Sequence, residues 1–345
     1  MCQKIPKVLA DTIKYLRSEE FKQKLTKKNL PPEMLVATLS LLETETDQEI
    51  MDYVSKLYDA GMQSVRAYFE GANGILIPFS GGRDSTVLTE LALRAFQFTR
   101  ITLMTCCTGM YRGSEDDLNI PRRQAQKIFA RHPNQNNGTH EYLDISLPIG
   151  RFVVDVAKKH RDELGYPSFC TDCKLIMEAC LAALAKKYGY DCIAYGYAEY
   201  QAAQQWTEQT PSFRYAMKLF ADKNYTEIMV CSPLQVVLQL PIDSILLLAY
   251  LGVEIEEQKN EAKCSAGGAN PVKIDPIVLS SCLQRRINRL PSSEEFAEMF
   301  RRSDSPIASY NHVQAILDLK KEPSYMEGAF REEGDRHNFT EDPAQ

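Results

Sequence analysis

Two groups of residues in this chain have the types and spacing to do chemistry. The first is Ser80-Gly81-Gly82-Arg83-Asp84-Ser85, which follows the apolar run Ile75–Phe79 and precedes apolar residues at helical spacing as far as Phe96. A buried strand that ends in two glycines and opens a helix gathers unpaired backbone N–H groups and the positive end of the helix dipole at one point, which suits an anion. Gly81 and Gly82 let the backbone approach a ligand closely, and Ser80 and Ser85 offer hydroxyls. A phosphate or pyrophosphate is the expected ligand. Neither familiar nucleotide loop fits: the Walker form ends in Gly-Lys-Ser/Thr, and the dinucleotide form needs three glycines at set intervals. The plainer reading is a strand-to-helix turn with glycines for geometry and Asp84 as a favourable charge in the first turn.

The second group is Cys170-Thr171-Asp172-Cys173, at the start of an amphipathic stretch, together with the distant Cys264 in a polar, glycine-bearing segment. A Cys-x-x-Cys pair closes on one metal because a tight turn brings both sulfurs to the same side. Two thiolates do not complete a site, and Cys264 is the candidate third ligand, with Cys282 as its competitor. Cys106, Cys107, Cys192 and Cys231 fall on expected strands and Cys180 on a helix face, where cysteine acts as a small buried hydrophobe. Ligand type and spacing leave iron–sulfur, zinc and metal-free thiols open.

These groups need a scaffold, and the rest of the sequence indicates which. The chain has 345 residues, 44% hydrophobic and 25% charged, a net charge of -6 and ten cysteines. Its N-terminus is charged throughout and no apolar run approaches the ~20 residues that a bilayer requires, so the expectation is a cytoplasmic protein with reduced thiols and no membrane partner. The acidic balance argues against a protein that coats nucleic acid. Residues 1–66 carry apolar positions every three or four residues and read as a helical region. From Gly74 onward, short apolar runs at 75–79, 101–107, 141–145, 191–195 and 227–234 alternate with longer helical stretches, which favours a mainly parallel sheet covered on both faces. The expected division is a helical region at 1–66, an α/β domain at 67–260 and an extension at 261–345. That extension would be a loop bearing Cys264, a helical stretch from Ser292 to Lys321 and a polar tail from Met326.

With the loop in view, the chain resembles the PP-loop ATP pyrophosphatase superfamily, whose members carry Ser-Gly-Gly-x-Asp-Ser after a strand and cleave ATP between the α and β phosphates. The resemblance implies a parallel, doubly wound sheet of the adenine nucleotide α-hydrolase type with N-terminal and C-terminal helical additions. It also implies that Ser80, Gly81, Gly82 and Ser85 hold pyrophosphate and that Asp84 helps to place it or its Mg²⁺. Together with the cysteine pattern, the loop resembles the tRNA 2-thiolation enzymes, in which three cysteines hold a [4Fe-4S] cluster with one iron free to bind sulfide. On that basis Cys170, Cys173 and Cys264 would be the cluster ligands. A persulfide on Cys170 or Cys173 uses the same residues without iron.

The same resemblance points to the segment after the fifth apolar run. Thiolating members carry Thr-Gly-His followed by acidic residues there. This chain has Tyr195-Gly196-Tyr197-Ala198-Glu199-Tyr200-Gln201: Gly196 matches, Tyr197 replaces the histidine, and Tyr200 and Gln201 replace the acidic pair. Either Glu199 takes over part of the acidic role or the substrate geometry differs; the plainer reading is that Tyr195, Tyr197 and Tyr200 only pack near the sheet edge. The function expected is adenylation of a substrate, a tRNA base or a small molecule, followed by sulfur insertion from a donor protein or sulfide, with a homodimer as a candidate assembly. The rivals are an amide- or nitrile-forming ligase with structural zinc and a nucleotide-binding defence or regulatory module. Candidate RNA contacts are Arg122, Arg123, Lys127 and Arg131, the basic residues of 158–161, Lys186 and Lys187, and Arg285, Arg286 and Arg289.

Overall fold

The computed structural model describes residues 5–28, 30–97, 99–112, 115–133, 138–155, 169–203, 210–225, 227–254, 263–264 and 286–320. Cys282 and the tail from Met326 lie outside them, as do the basic residues of 158–161.

The chain begins with four helices: α1 (Lys7–Leu16), α2 (Glu19–Thr26), α3 (Pro32–Thr44) and α4 (Asp47–Phe69). Local chemistry fixes where they start. Ser18 caps α2 by accepting from the Phe21 amide, and Thr46 and Glu49 form a reciprocal capping box on α4, which satisfies amides that would otherwise have no partner. Their apolar faces, with Leu9, Ile13, Leu42, Val54 and Val65 fully or almost fully buried, join the core on one face of the sheet. The N-terminal region is thus one layer of the α/β unit.

Strands β1 (Gly74–Pro78), β2 (Arg100–Cys107), β4 (Gly138–Asp144), β5 (Cys192–Ala194) and β6 (Met229–Cys231) occupy the five apolar runs, and all pair in parallel. β8 (Arg301–Ser303) adds an antiparallel edge, for a spatial order of β6-β5-β1-β2-β4-β8. Side chains alternate between the faces: Ile75 and Ile77 enter the core shared with the N-terminal helices, while Leu76 enters the core on the other side. Burial on both faces explains the nearly continuous apolar runs.

The stretch from Ser292 is not one helical segment. Helices at Ser293–Met299 and Val313–Lys320 flank β8, whose Arg302 guanidinium forks onto Glu141 of β4 at 2.5 and 2.6 Å. A cross-strand ion pair holds this polar triplet in the sheet, so no apolar run announces it. Among the described residues no helix is long and apolar enough to cross a membrane.

The order of the strands creates a site. β2 and β4 build outward on one side of β1, and the chain then returns to place β5 on the other side. Where successive connections leave in opposite directions, a crevice opens outside the carboxyl ends of the strands. Helix α5 (Arg83–Ala95) starts there, directly after β1 and the Ser80–Gly82 turn. It is buried along most of its length, and its Glu90, with no exposed surface, is held by Arg131 at 2.7 and 2.8 Å and by His132 at 2.7 Å. These partners hold the Glu90 carboxyl below its ordinary range against the opposing cost of burial.

Glu90→Gln should therefore lower unfolding free energy by about 2 kcal/mol at pH 7, read from the urea midpoint. A folded-state pKa below the ordinary ~4.3 means that this contribution is present at neutral pH and fades as pH falls through the folded value. The gap between wild type and variant should close in acid, and equal stability at pH 7 would contradict the pairing.

Candidate functional site

The loop has the geometry its glycines suggest. Gly81 has φ +80°, a left-handed conformation that favours glycine, and Gly82 is the N-cap of α5 without a side-chain cap bond. The Ser80 hydroxyl accepts from the Gly82 amide at 3.2 Å. Ser85 and Thr86 both donate to the Gly82 carbonyl, at 3.0 and 2.8 Å. The Ser85 hydroxyl therefore fastens the turn. The first turn of any α-helix leaves backbone amides without intrahelical acceptors, and amides so placed are suited to an anion.

Asp84 joins the loop to two other elements. One carboxylate oxygen accepts from the Tyr200 hydroxyl at 3.0 Å and from Gln201 Nε2 at 2.8 Å; the other accepts from the Ser244 hydroxyl. Tyr200 and Gln201 lie in a short helix, α10 (Glu199–Ala203), after β5, and Ser244 is in the first turn of α12 (Asp243–Tyr250). Burial pushes the Asp84 carboxyl up, opposed by Ser244, Arg83, Tyr200 and Lys28. Gly196 brings the β5 loop against α5: a Cβ there would lie 2.7 Å from the Ser85 amide nitrogen and 2.8 Å from the Asp84 carbonyl carbon and oxygen. Only glycine fits without moving one backbone or the other.

The crevice is a cleft of about 360 Å³, with Ser80, Gly82, Asp84 and Ser85 at one part of its wall and Gly196, Tyr197 and Gln201 at another. Phe79, Met104, Met177 and Tyr142 give it apolar and aromatic surface. Lys174 is the one cation among the described residues that line it, and its ammonium lies 5.0 Å from the ring centres of both Tyr195 and Tyr197. Those rings stack at 5.0 Å and 7°, and Tyr197 donates to the buried Glu178 at 2.7 Å. Tyr195, Tyr197 and Tyr200 are all buried, as the packing alternative has it, yet Tyr197 lines the cleft and Tyr200 binds Asp84.

Sequence reasoning missed several residues here. Cys106 and Cys107, expected as strand core, are buried but also line the cleft. Burial pushes the Cys106 thiol up to about 12, with Lys174 opposing, and raises Cys107 further, so both are neutral thiols of low reactivity. Near them His140 Nε2 meets Thr105 Oγ1 at 2.9 Å. Thr105 gives its hydroxyl proton to the Phe79 carbonyl at 2.6 Å, which assigns the N–H to His140 Nε2 and leaves Nδ1 buried without a hydrogen-bond partner among the described residues. Burial lowers the His140 pKa to about 4, so the ring is neutral at physiological pH. Its signal was a lone histidine in a strand, indistinguishable from a packed one.

Cys170 lies in the first turn of α9 (Phe169–Tyr188) and Cys173 directly after that turn, in the helix whose Lys174 and Met177 reach the cleft. Cys173 is half-buried. Between the cysteines, burial raises the Asp172 carboxyl to about 7, while Arg286, at 2.5 Å, opposes that rise. The backbone of Cys264 belongs to β7 (Lys263–Cys264), which pairs antiparallel with β3 (Tyr111–Arg112) in the register Tyr111 opposite Cys264. Tyr111 lines the same cleft. Both cysteine segments thus adjoin cleft residues. Among the described residues no three His, Cys, Asp or Glu side chains form a metal-binding group; the side chains of Cys170 and Cys264 lie outside that set.

Glu199 does not join Asp84 through any hydrogen bond among the described residues. Its carboxylate accepts from Gln235 at 2.9 Å and lies 3.9 Å from Arg214. Several candidate RNA contacts are likewise engaged within the protein: Arg131 with Glu90, Arg123 with Asp116, Arg286 with Asp172, Lys186 with Glu294, and Arg122 with the Asp304 carbonyl.

No family model matches this chain, and no curated protein matches it. Among solved structures it is similar to the U34-tRNA thiolase NcsA from Methanococcus maripaludis with its [4Fe-4S] cluster, at 14% identity and a TM-score of 0.40, over 69% of this chain and 80% of that one.

Gly196→Ala should displace the start of α5 and destabilise the protein by about 1–3 kcal/mol, measured as a fall in the urea midpoint. An unchanged midpoint would mean that the loop and the β5 turn are not in backbone contact.

Proposed function

We propose that this protein is an ATP-dependent sulfur transferase that adenylates an oxygen of its substrate, a tRNA base in the first instance, and then replaces that oxygen with sulfur. One observation carries the reading: the Ser80–Ser85 loop and the helix bearing Cys170 and Cys173 contribute to the wall of a single cleft at the reversal point of the sheet, and the strand bearing Cys264 pairs with Tyr111 of that wall. An activation site and a sulfur site must share a cleft if one substrate atom is to visit both.

In the first step a substrate carbonyl oxygen attacks the α-phosphorus of ATP, and the bond to the β-phosphate oxygen breaks. Pyrophosphate leaves toward the amides at the start of α5. Those amides are fixed in advance by Gly81 and by the Asp84 bonds, so they meet the charge on the leaving group without reorganisation. In the second step a sulfide sulfur attacks the activated carbon, the carbon–oxygen bond breaks, and AMP leaves with the original oxygen. The Phe79, Met104 and Met177 surfaces keep water from competing for the activated carbon.

Cys170, Cys173 and Cys264 would supply three thiolates to a [4Fe-4S] cluster from two segments that adjoin cleft residues, and thiolate is the ligand type such a cluster takes. When bound to three thiolates, such a cluster offers an iron without a protein ligand, and that position can carry sulfide. A second reading, a nucleotide-binding module that does not adenylate, draws support from Tyr200 and Gln201 standing where the resembled enzymes have acids.

Protein purified without oxygen should contain about four irons and four sulfides per chain, lost in Cys170→Ala, Cys173→Ala and Cys264→Ala. It should also form AMP and pyrophosphate in equal amounts when given ATP, tRNA and sulfide. Zinc in place of iron with an ammonia requirement would overturn the proposal in favour of a ligase, and ATP left uncleaved with every RNA and metabolite pool would favour the binding module.

A further inference from the structure

Lys174 is the one cation among the described residues of the cleft wall, and the side chains around it decide where its charge is available. Lys174, Met177 and Glu178 share one face of α9 at the i, i+3 and i+4 spacing, and Met177 lines the cleft with Lys174. The Lys174 ammonium rests 5.0 Å from the ring centres of Tyr195 and Tyr197, and among the described residues no carboxylate forms an ion pair with it. Glu178, one turn further along, is the acid placed to do so. It is buried and interacts electrostatically with Lys174, yet its Oε1 accepts from the Tyr197 hydroxyl at 2.7 Å.

Tyr197 therefore acts on the ammonium in two ways. Its ring gives the charge a neutral face to rest on, and its hydroxyl engages the carboxylate that would otherwise draw the charge toward the helix. A cation over a ring is held more weakly than one bonded to a carboxylate or a phosphate. The ammonium is thus kept in the cleft without being neutralised there. Gly196, between the two tyrosines in sequence, packs on the loop so closely that a Cβ would lie 2.7 Å from the Ser85 amide nitrogen. The tyrosine platform is thereby joined to the first turn of α5.

We infer that Lys174 contacts the phosphate chain of a nucleotide held at the first turn of α5, and that Tyr197 is a positioning residue that keeps Glu178 from capturing the Lys174 ammonium. The inference rests on the nucleotide reading above and names the side chain that adds a full positive charge to the amides of the loop. A lysine ammonium, compact and with three N–H donors, suits phosphate oxygens.

Calorimetry on the full chain at fixed Mg²⁺, with an ATP analogue carrying a methylene group between the α and β phosphorus atoms, tests this. Lys174→Met should weaken binding about ten- to a hundredfold, as for a lost charge-assisted hydrogen bond, and Lys174→Arg should stay within about threefold of wild type. Tyr197→Phe keeps the ring and removes the hydroxyl, and should weaken binding about three- to tenfold. Glu178→Gln removes the competing charge, so the double variant with Tyr197→Phe should return to within about twofold of wild type. Unchanged affinity in Lys174→Met would overturn the inference. A double variant as weak as Tyr197→Phe alone would overturn the positioning role and make the Tyr197 hydroxyl itself a ligand contact. If wild type does not bind the analogue, the nucleotide reading falls and the inference falls with it. The urea midpoint of each variant separates weak binding from misfolding, and should Tyr197→Phe not fold, the two Lys174 variants still decide the contact.

Discussion

The Asp84 carboxylate is where three separate parts of the chain meet. Through it the helix that begins at the glycine loop is tied to the turn after β5 and to the start of α12. A partly buried carboxylate is costly without partners, so Tyr200, Gln201 and Ser244 stabilise both the charge and the arrangement. The tie continues outward. Next to Ser244, Asp243 accepts from the amides of Gln239 and Leu240 and from the Tyr53 hydroxyl at 2.7 Å, which links α12 to the N-terminal helix α4. The direction of the loop amides is held by this chain of bonds, by Gly196 against their backbone and by Glu90 anchored further along α5.

The cleft follows from topology as much as from side chains. The reversal of strand order at β1 places the loop and the Tyr195–Gln201 segment on opposite sides of one crevice, and it brings the start of α9 to the same place. The two short strands β3 and β7 then fasten the Cys264 segment next to Tyr111. The Ser80–Ser85 loop and the cysteine-bearing segments thereby adjoin one cleft although the residues concerned are far apart in the chain.

Much of the scaffold was legible because burial on both faces of a parallel sheet writes apolar runs into the sequence. All five such runs are strands. The triplet Arg301–Ser303 was not legible, since it is held by Arg302 on Glu141 and by an edge register that only the folded partner defines. The loop could be read from Ser80 to Ser85, but not the use of the Ser85 hydroxyl on the Gly82 carbonyl. Tyr200 and Gln201 stood out as departures from an acidic pattern. Their role as donors to Asp84, more than a hundred residues earlier in the chain, depends on the fold. Lys174 was hidden for a similar reason: a lysine beside Cys173 reads as solvated helix charge until the two tyrosine rings are placed under it.

The central claim is that nucleotide and cluster occupy one cleft. A crystal of anaerobically prepared protein grown with a non-hydrolysable ATP analogue, with diffraction recorded across the iron absorption edge, addresses it directly. The account predicts the polyphosphate at the first-turn amides of α5 and the iron signal beside the same cleft, among Cys170, Cys173 and Cys264. Iron elsewhere, or a nucleotide bound away from the Ser80–Ser85 loop, would contradict it.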